Sequence, residues 1–313
     1  MKAKILVTGG LGYLGGRTAI HFLLNNYEVR IATTKNITNV DNYNGCELVK
    51  ISWENLESLQ IAIRDVDYII HTTGLNATDC ENDPILALKI NVLGTANLLK
   101  AVQKSTRVQK FIYFSTVHVY KSPLSGIIDE NTFPSNLHPY ATSHRAAEDV
   151  ILYSGLKNIT TTIVLRLSNA YGTPINPDNN CWMLLVNDLC RQAVVNKQLT
   201  ITSNINQSRD FISISQILSA LNFIIEQKCE SGIYNLGSGI SKSITDVAEM
   251  IQMRTNILYG YIPDIQFNKN FNYQTSNNPL IYKVDKLKSV GFKINNTEFD
   301  EIDSLLNFCK NKF

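Results

Sequence analysis

The chain has 313 residues, of which 44% are hydrophobic and 18% are charged, with 16 glycines and 8 prolines. This length allows two ordinary domains or one large domain with a smaller lobe, and the composition excludes disordered, collagen-like and disulfide-stapled chains. Lys and Arg total 29 and Asp and Glu total 27, so the net charge is +2, too small to hold a nucleic acid through bulk charge. We therefore expect a globular protein without a nucleic-acid partner.

Membrane and disulfide signals are weak in this sequence. No run approaches the ~18 apolar residues of a membrane-spanning helix, and the N-terminus leads into a strand without a signal-peptide core. We expect a cytoplasmic protein without a membrane partner. The six cysteines form no CxxC pair, so we predict reduced structural thiols and no metal site.

The first half alternates short β-branched runs with longer stretches of helical period, which is typical of βαβ units in a parallel sheet. Strands are predicted over Lys4–Thr8, Glu28–Thr33, Glu47–Ile51, Asp67–His71, Gln109–Ser115 and Thr161–Leu165. Helices are predicted over Leu14–Leu24, Asn55–Ile63, Pro84–Lys104 and Tyr140–Tyr153. The pattern predicts an α/β doubly wound parallel-sheet Rossmann fold.

The sequence changes character after Tyr171-Gly172 and predicts a smaller C-terminal lobe. A helix is predicted over Cys181–Val195 and a strand over Leu199–Thr202, ahead of an Asn-rich tail. We therefore predict a Rossmann domain of residues 1–168 and a lobe of residues 169–313. Segments near 210–240 are expected to rejoin the first domain.

A glycine-rich turn follows the first predicted strand. The segment from Val7 to Gly15 joins that strand to an amphipathic helix, the setting in which spaced glycines indicate a dinucleotide site. Gly9 permits the tight turn, Gly12 lets the backbone approach a pyrophosphate, and Gly15 allows close packing of helix on strand. Unpaired N–H groups at the helix start would bind the anion. The predicted cofactor-binding residues of the turn are Gly9, Gly12, Tyr13, Leu14 and Gly15.

The end of the second predicted strand favours NADP as the cofactor. Dinucleotide sites often carry an Asp or Glu about 20 residues after the turn, which hydrogen-bonds the ribose 2′-hydroxyl. The segment from Arg30 to Lys35 has no carboxylate, and Thr33, Thr34 and Lys35 could donate to a 2′-phosphate. NAD remains the alternative, with Lys35 then a solvated loop residue.

Further motifs follow in a fixed order along the chain. They are Ile69-Ile70-His71-Thr72-Thr73-Gly74, Asn91-Val92-x-Gly94-Thr95, Phe114-Ser115-Thr116-x-x-Val119-Tyr120, Pro139-Tyr140-Ala-Thr-Ser-His144, Arg166-x-x-Asn169-x-Tyr171-Gly172 and Arg209-Asp210-Phe211. With the glycine turn, they resemble the extended short-chain dehydrogenase/reductase family, especially its nucleotide-sugar epimerases, dehydratases and ketoreductases. The resemblance implies an NAD(P)-dependent enzyme for a nucleoside-diphosphate sugar, with the dinucleotide bound by residues 1–168 and the substrate by 169–313. It also implies a homodimer, because the helices near 84–104 and 140–153 match those through which the family often dimerises.

The same resemblance assigns catalytic and cofactor residues. Tyr140 would move a proton at a sugar hydroxyl or ketone while the nicotinamide carries the hydride, and Thr116 would hold the same oxygen. A phenol has an unperturbed pKa of about 10, so work at neutral pH needs a neighbouring positive charge. The family places Lys four residues after the Tyr; this chain has His144 there, on the same helix face, shorter and only partly protonated near pH 7. Further cofactor contacts are expected from Thr72, Thr73, Gly74, Asn91, Tyr140 and His144.

His118 is the second unusual residue. On a continuous strand it would point to the same side as Thr116, at the place where the family's sugar dehydratases carry Glu. Thr116-Val117-His118 replaces their Thr-Asp-Glu, which disfavours 4,6-dehydration. His118 is a candidate acid or base, and a hydrogen-bonded structural histidine is the alternative. His71 is interpreted as structural, and His21 and His138 as incidental.

Substrate contacts are also implied by the resemblance. Asn169 and Arg209 would hold the substrate, with Arg209 on the nucleoside diphosphate; a salt bridge to Asp210 is the alternative. A second arginine that the family carries late in the chain is missing from Asn270 to Ile281.

Three functions are compatible with these residues. The first is an NAD(P)-dependent nucleotide-sugar epimerase or 4-ketoreductase of surface polysaccharide or deoxysugar synthesis. The second is a cofactor-binding sensor or scaffold whose catalytic site has decayed, with His144 in place of Lys. A third, a reductase of non-sugar carbonyls, is disfavoured by Asn169 with Arg209. Because a binding protein needs no hydroxyl pair, Tyr140 with Thr116 favours the enzyme.

Overall fold

The computed structural model describes residues 2–36, 40–157, 160–202, 207–267, 279–295 and 297–313. The chain forms two compact units. The first contains Met1–Ser122, Phe133–Arg166 and Leu221–Tyr234, and the second contains Pro123–Thr132, Leu167–Ala220 and Asn235–Phe313. These bounds differ from the predicted division after residue 168, since residues 123–132 join the second unit. A substrate-binding role for the second unit stays a prediction.

A mostly parallel sheet of seven strands forms the centre of the fold. In spatial order its strands are β3 (Glu47–Lys50), β2 (Glu28–Thr33), β1 (Lys4–Thr8), β4 (Tyr68–His71), β5 (Lys110–Thr116), β7 (Thr161–Leu167) and β11 (Gly232–Leu236). Neighbouring strands from β3 to β5 pair in parallel. The strand order reverses between β1 and β4, the switch point beside which doubly wound sheets bind ligands. The predicted α/β Rossmann fold is confirmed.

The apolar strands explain why this sheet lies at the core. Ile5, Leu6 and Val7 of β1 are fully buried, as are Ile69 and Ile70 of β4. Nearly continuous apolar runs of this kind belong to parallel strands covered on both faces.

The helices of the first unit cover the sheet. They are α1 (Tyr13–Leu24), α2 (Leu56–Ala62), α3 (Ala77–Asn82), α4 (Pro84–Ala87), α5 (Thr95–Val102) and α6 (Pro139–Lys157). The single helix predicted over Pro84–Lys104 is interrupted by a π-helical segment, Leu88–Gly94. Since π-helical turns occur often at functional sites, this interruption directs attention to Asn91.

The stretch Pro84–Val102 is long and apolar enough to cross a membrane by length and composition, with a mean hydropathy of 1.4. In the structure, 44% of an 18-residue part of this stretch is buried. Leu98, Leu99 and Val102 from this stretch pack into the core of the first unit. A core helix passes the same length test, so this stretch is weak evidence of a membrane span.

The second unit contains small sheets and helices. Its strands are β6 (Gly126–Ile128), β8 (Asn169–Tyr171), β9 (Gln198–Ile201), β10 (Arg209–Ser213), β12 (Ser241–Lys242), β13 (Asp264–Phe267) and β14 (Leu280–Tyr282). Its helices are α7 (Leu185–Val195), α9 (Ile244–Tyr259), α10 (Asp285–Ser289) and α11 (Glu298–Lys312), while α8 (Ile214–Glu226) runs from the second unit into the first. The helix predicted from Cys181 starts instead at Leu185. The parallel pairing of β8 with β10 sets Asn169 opposite Phe211.

Candidate active site

The glycine turn has the shape of a phosphate cradle. Gly9 has a φ of +69°, a conformation that favours glycine, and its carbonyl accepts a hydrogen bond from Gly12 N at 2.8 Å. A Cβ at Gly15 would clash with the Gly9 carbonyl oxygen and lie 2.6 Å from Thr72 Oγ1. Helix α1 starts directly after Gly12, so its first N–H groups face outward from this turn. The turn therefore fits a dinucleotide pyrophosphate.

Gly12→Val is expected to weaken binding of NADPH and NADH by more than about tenfold, or ~1.4 kcal/mol. A Cβ at Gly12 would already lie 3.1 Å from the Gly9 carbonyl oxygen, and the branched side chain would cover the surface that a pyrophosphate approaches. Calorimetric titration of parent and variant measures the change. Unchanged affinity in a folded variant would place the cofactor elsewhere.

The loop after β4 lies against the glycine turn. The backbone of Thr73 lies close to Gly9, since a Cβ at Gly9 would be 3.0 Å from Thr73 N. Thr72 Oγ1 donates to the Thr8 carbonyl at 2.8 Å. Thr73 Oγ1 is buried and has no hydrogen-bond partner among the described residues. A buried orphan hydroxyl beside an anion cradle is a suitable ligand contact.

The residues at the end of β2 are those on which the predicted preference for NADP over NAD depends. This preference stays a prediction. Thr33 is 7% exposed, and its hydroxyl accepts a hydrogen bond from Lys35 N at 3.1 Å. Thr34 and Lys35 are exposed. Among residues 30–36, which the structure describes, the side chains that follow the strand are exposed and polar, and none is a carboxylate.

Thr33→Asp is expected to shift the cofactor preference from NADP toward NAD by about 1–2 kcal/mol, the contribution of a charged hydrogen bond. The new carboxylate would repel a 2′-phosphate and accept a hydrogen bond from a 2′-hydroxyl. Affinities for both cofactors, measured in parent and variant, give the shift. A parent protein that binds NAD more tightly than NADP would contradict this preference.

Tyr140 and Thr116 lie together in the first unit. Thr116 ends β5 and Tyr140 begins α6, and their hydroxyls share a hydrogen bond. Burial raises the pKa of the Tyr140 phenol, and the Thr116 hydrogen bond partly opposes this shift. The phenol is therefore protonated at neutral pH, ready to donate a proton to a carbonyl oxygen.

His118 does not lie on a strand, which corrects the expected strand geometry. β5 ends at Thr116, and Val117–Val119 forms a 3₁₀ turn capped by Thr116 Oγ1, which accepts from His118 N at 3.2 Å. The His118 and Tyr140 rings are 6.5 Å apart between centroids. Alternation along a strand therefore does not explain the position of His118, although the turn still places it beside Tyr140.

His144 is neutral at pH 7, in contrast to the partly protonated state predicted. Its side chain is 5% exposed, and burial lowers its pKa to about 4, with nearby His118 adding to that effect. Its Nδ1 lies 2.7 Å from the Tyr113 hydroxyl, and its ring packs edge-on against Tyr140 with centroids 4.6 Å apart. The imidazole therefore supplies no positive charge to activate Tyr140.

Asn91 connects the π-helical segment to α6, the helix that carries Tyr140. Its amide nitrogen donates to Ser143 Oγ at 3.0 Å, and its oxygen accepts from Leu75 N at 3.0 Å. Asn91 is fully buried. These two hydrogen bonds thus fix the loop after β4 and the N-terminal part of α6 relative to each other.

A buried ion pair supports the strand that ends in Thr116 and the helix that carries Tyr140, and the sequence did not predict it. Arg166 and Glu148 are 3% and 1% exposed in their side chains, with Nη2 and Oε2 2.6 Å apart. Ser115 donates to the same carboxylate from the position before Thr116. The Arg166 guanidinium also lies 4.6 Å from the centre of the Tyr120 ring. A carboxylate on the helix that carries Tyr140 is thereby joined to β5 and β7.

The remaining histidines have structural contacts. His71 is fully buried between the hydroxyls of Thr8 and Thr95, at 2.6 and 2.8 Å, and burial lowers its pKa to about 3. His21 contacts Asn222 Oδ1 at 3.0 Å. His138, interpreted as incidental, accepts from Tyr140 N at 3.1 Å, so it caps the start of α6.

The two residues expected to hold substrate lie in the second unit. Asn169 donates to the Asp210 carbonyl at 2.8 Å. The Arg209 guanidinium donates to Gln207 Oε1 at 2.8 Å, while the Asp210 carboxylate accepts from Ser238 and Gly239. Burial lowers the pKa of Arg209. Most of the segment without the second arginine, residues 270–278, lies outside the described residues.

Comparison with known proteins identifies the family. The NAD dependent epimerase/dehydratase family matches residues 5–237. A Methanocaldococcus jannaschii protein is 28% identical to this chain over 98% of both chains. It carries the provisional name UDP-glucose 4-epimerase. The GDP-6-deoxy-D-mannose reductase of Pseudomonas aeruginosa is 30% identical over 59% of this chain and 62% of its own. The chain therefore belongs to the NAD dependent epimerase/dehydratase family, and the resemblance to extended short-chain dehydrogenases/reductases is confirmed.

A solved structure agrees with this family. The UDP-glucose 4-epimerase of Thermus thermophilus, determined in complex with NAD, superposes with a TM-score of 0.80. The match covers 99% of this chain and 100% of that one, at 20% identity. At that identity the similarity establishes the fold.

Proposed function

We propose that this protein is an NAD(P)-dependent nucleotide-sugar epimerase or 4-ketoreductase. The observation that carries the proposal is the hydrogen-bonded pair of Tyr140 and Thr116 hydroxyls, in a unit that also carries the glycine cradle. The family relatives named as an epimerase and a reductase of nucleotide sugars support the same substrate class. A bound nicotinamide would supply the hydride chemistry.

The residues of the chain have separate roles in this proposal. The turn from Gly9 to Gly15 binds the pyrophosphate through backbone N–H groups, and Thr73 and His144 supply buried polar atoms toward the cofactor. Thr116 orients the substrate oxygen, and Tyr140 gives a proton to that oxygen or takes one from it. Asn169 and Arg209 hold the substrate, with Arg209 on the nucleoside diphosphate.

The protonated Tyr140 favours the reductive direction at neutral pH. Burial raises the pKa of its phenol and His144 is uncharged, so Tyr140 acts more readily as an acid toward a ketone than as a base toward an alcohol. A homodimer, a cytoplasmic location and a role in surface polysaccharide or deoxysugar synthesis stay predictions.

The experiment is a panel of nucleotide sugars and 4-keto nucleotide sugars, assayed with NADPH, NADH and both oxidised cofactors. Net oxidation of NADPH or NADH by a 4-keto nucleotide sugar indicates the reductase, whereas formation of an epimer without net change in the cofactor indicates the epimerase, and either result supports the proposal. A protein that binds cofactor but turns over no member of the panel would contradict it.

One observation favours a second candidate, a cofactor-binding protein without turnover. The family's lysine position holds a buried, neutral His144, so no permanent charge lowers the pKa of Tyr140. In this second function, the glycine cradle binds NAD(P), and a partner recognises the cofactor-bound protein.

His144→Lys separates the two candidates. A lysine would place a permanent positive charge beside the Tyr140 phenol and stabilise its phenolate, so oxidative turnover at pH 8 is expected to rise if the protein is an enzyme. Steady-state rates of parent and variant give the comparison. An inert parent with an active variant indicates a decayed enzyme, and inertness of both with cofactor binding intact supports the sensor.

A further inference from the structure

Tyr113 contacts His144, the residue at the position where the family carries lysine. Tyr113 lies on β5 and is fully buried, and its hydroxyl is 2.7 Å from His144 Nδ1. The other ring nitrogen, Nε2, is buried without a hydrogen-bond partner among the described residues. One nitrogen of the imidazole is thus held by the protein, while the other is left for a different partner.

The hydrogen bond selects one tautomer of the imidazole. If the Tyr113 O–H donates to Nδ1, the imidazole proton is on Nε2, and Nε2–H is the single unsatisfied group of the pair. If Nδ1–H donates to the phenol oxygen instead, both the phenol hydrogen and the Nε2 lone pair lack partners among the described residues. Each buried polar group that lacks a hydrogen-bond partner destabilises the folded protein. The first arrangement is therefore the stable one.

The free nitrogen faces the part of the first unit that is expected to bind the cofactor. A Cβ added to Gly74 would lie 3.6 Å from His144 Nε2 and 3.6 Å from Asn91 Oδ1. Gly74 belongs to the loop that lies against the glycine turn. An Nε2–H group at this place can donate one hydrogen bond to a hydroxyl oxygen, as an ammonium group could, without carrying a charge.

We propose that Tyr113 is a positioning residue that fixes His144 as the neutral Nε2–H tautomer, and that this N–H replaces the lysine ammonium as the hydrogen-bond donor to the cofactor. The identity of the group that accepts the hydrogen bond from His144 Nε2–H depends on the proposed function. The assignment of the tautomer depends on the residues of this chain alone.

The charged and titratable groups around His144 agree with a neutral ring. His118 and Tyr140 face it from the 3₁₀ turn and from its own helix, and His71 lies beyond Tyr113, stacked on that ring with centroids 5.5 Å apart. Cys80 also lies near Tyr113 and Tyr140, and burial raises the pKa of its thiol. The nearby Glu148 carboxylate is already paired with Arg166, so it does not favour an imidazolium.

Nitrogen NMR of the full chain tests the tautomer without cofactor or substrate. Long-range ¹⁵N–¹H spectra, assigned with a His144→Gln variant, should show a protonated Nε2, a bare Nδ1 and no titration between about pH 5.5 and 8. Tyr113→Phe removes the donor and should change the Nδ1 signal or mix the tautomers. Tyr234→Phe, which removes a buried hydroxyl bound to the Glu230 carbonyl at 3.0 Å, should leave these signals unchanged. A parent with Nδ1–H, or one that titrates in this range, would overturn the proposal.

Cofactor binding gives an independent measure. Tyr113→Phe should weaken the Kd for NADPH or NADH on the order of fivefold, the effect of one hydrogen bond, and should have no effect in a His144→Ala background. An equal loss in both backgrounds would show that Tyr113 acts on the fold alone and would refute the positioning role. If the parent binds neither cofactor, the proposed function fails while the NMR result still decides the tautomer.

Discussion

Tyr140→Phe is expected to lower turnover about 10²–10⁴-fold, the usual contribution of a general acid or base. The phenylalanine keeps the ring that packs against His144 and removes only the hydroxyl that reaches Thr116. The fall should therefore appear in kcat, with the cofactor still bound. Steady-state rates on the substrate that responds best in the panel, together with calorimetric cofactor titration, measure both quantities.

Tyr153→Phe is the matched control for this variant. Tyr153 lies on the same helix, α6, and is 59% exposed, so losing its hydroxyl should change neither rate nor cofactor affinity.

In the parent, oxidative turnover should rise with pH because the raised pKa of Tyr140 keeps its phenol protonated at pH 7. A Tyr140→Phe protein with parental kcat would remove Tyr140 from the mechanism.

Glu148→Gln is expected to lower the free energy of unfolding by about 3–5 kcal/mol, because it leaves the Arg166 charge buried without its counter-ion. Side-chain exposures of 1% and 3% mean that water cannot replace the lost carboxylate. Total stabilities of about 5–15 kcal/mol are typical, so this loss is a large fraction of the whole. Urea unfolding of parent and variant measures it.

A half-exposed ion pair of the same chain provides the comparison. Asp188 and Arg191 are 2.8 Å apart, with side chains 33% and 36% exposed, and Asp188→Asn should cost less than about 1 kcal/mol. A double variant, Glu148→Gln with Arg166→Met, should recover part of the loss because no unpaired charge remains. Equal costs at both sites would show that the buried pair contributes no more than the half-exposed pair.

The sequence predicted the elements that local patterns encode. The apolar run of β1, the spaced glycines that follow and the amphipathic α1 are adjacent in the chain, so the fold and the cradle could both be predicted from them. Tyr140 and Thr116 were identified through family motifs of the same local kind. Predicted strand bounds for the first unit agree with the structure to within two residues.

The strand geometry predicted for His118 was wrong because β5 ends two residues earlier, at Thr116. The Thr116 side chain caps a 3₁₀ turn there, and no periodic pattern in the sequence marks that end. The π-helical segment Leu88–Gly94 was missed for a similar reason, since its residues have ordinary helical periodicity.

Only the tertiary structure decided the charge state of His144. The sequence places an imidazole one helical turn after Tyr140, and at its ordinary pKa of about 6.5 that group is partly charged. Burial against Tyr113, which is 31 residues away, lowers the pKa to about 4. The Glu148–Arg166 pair likewise joins residues 18 apart in the chain. Periodicity and motifs report neighbours in the chain, whereas desolvation and ion pairing depend on which distant residues the fold packs together.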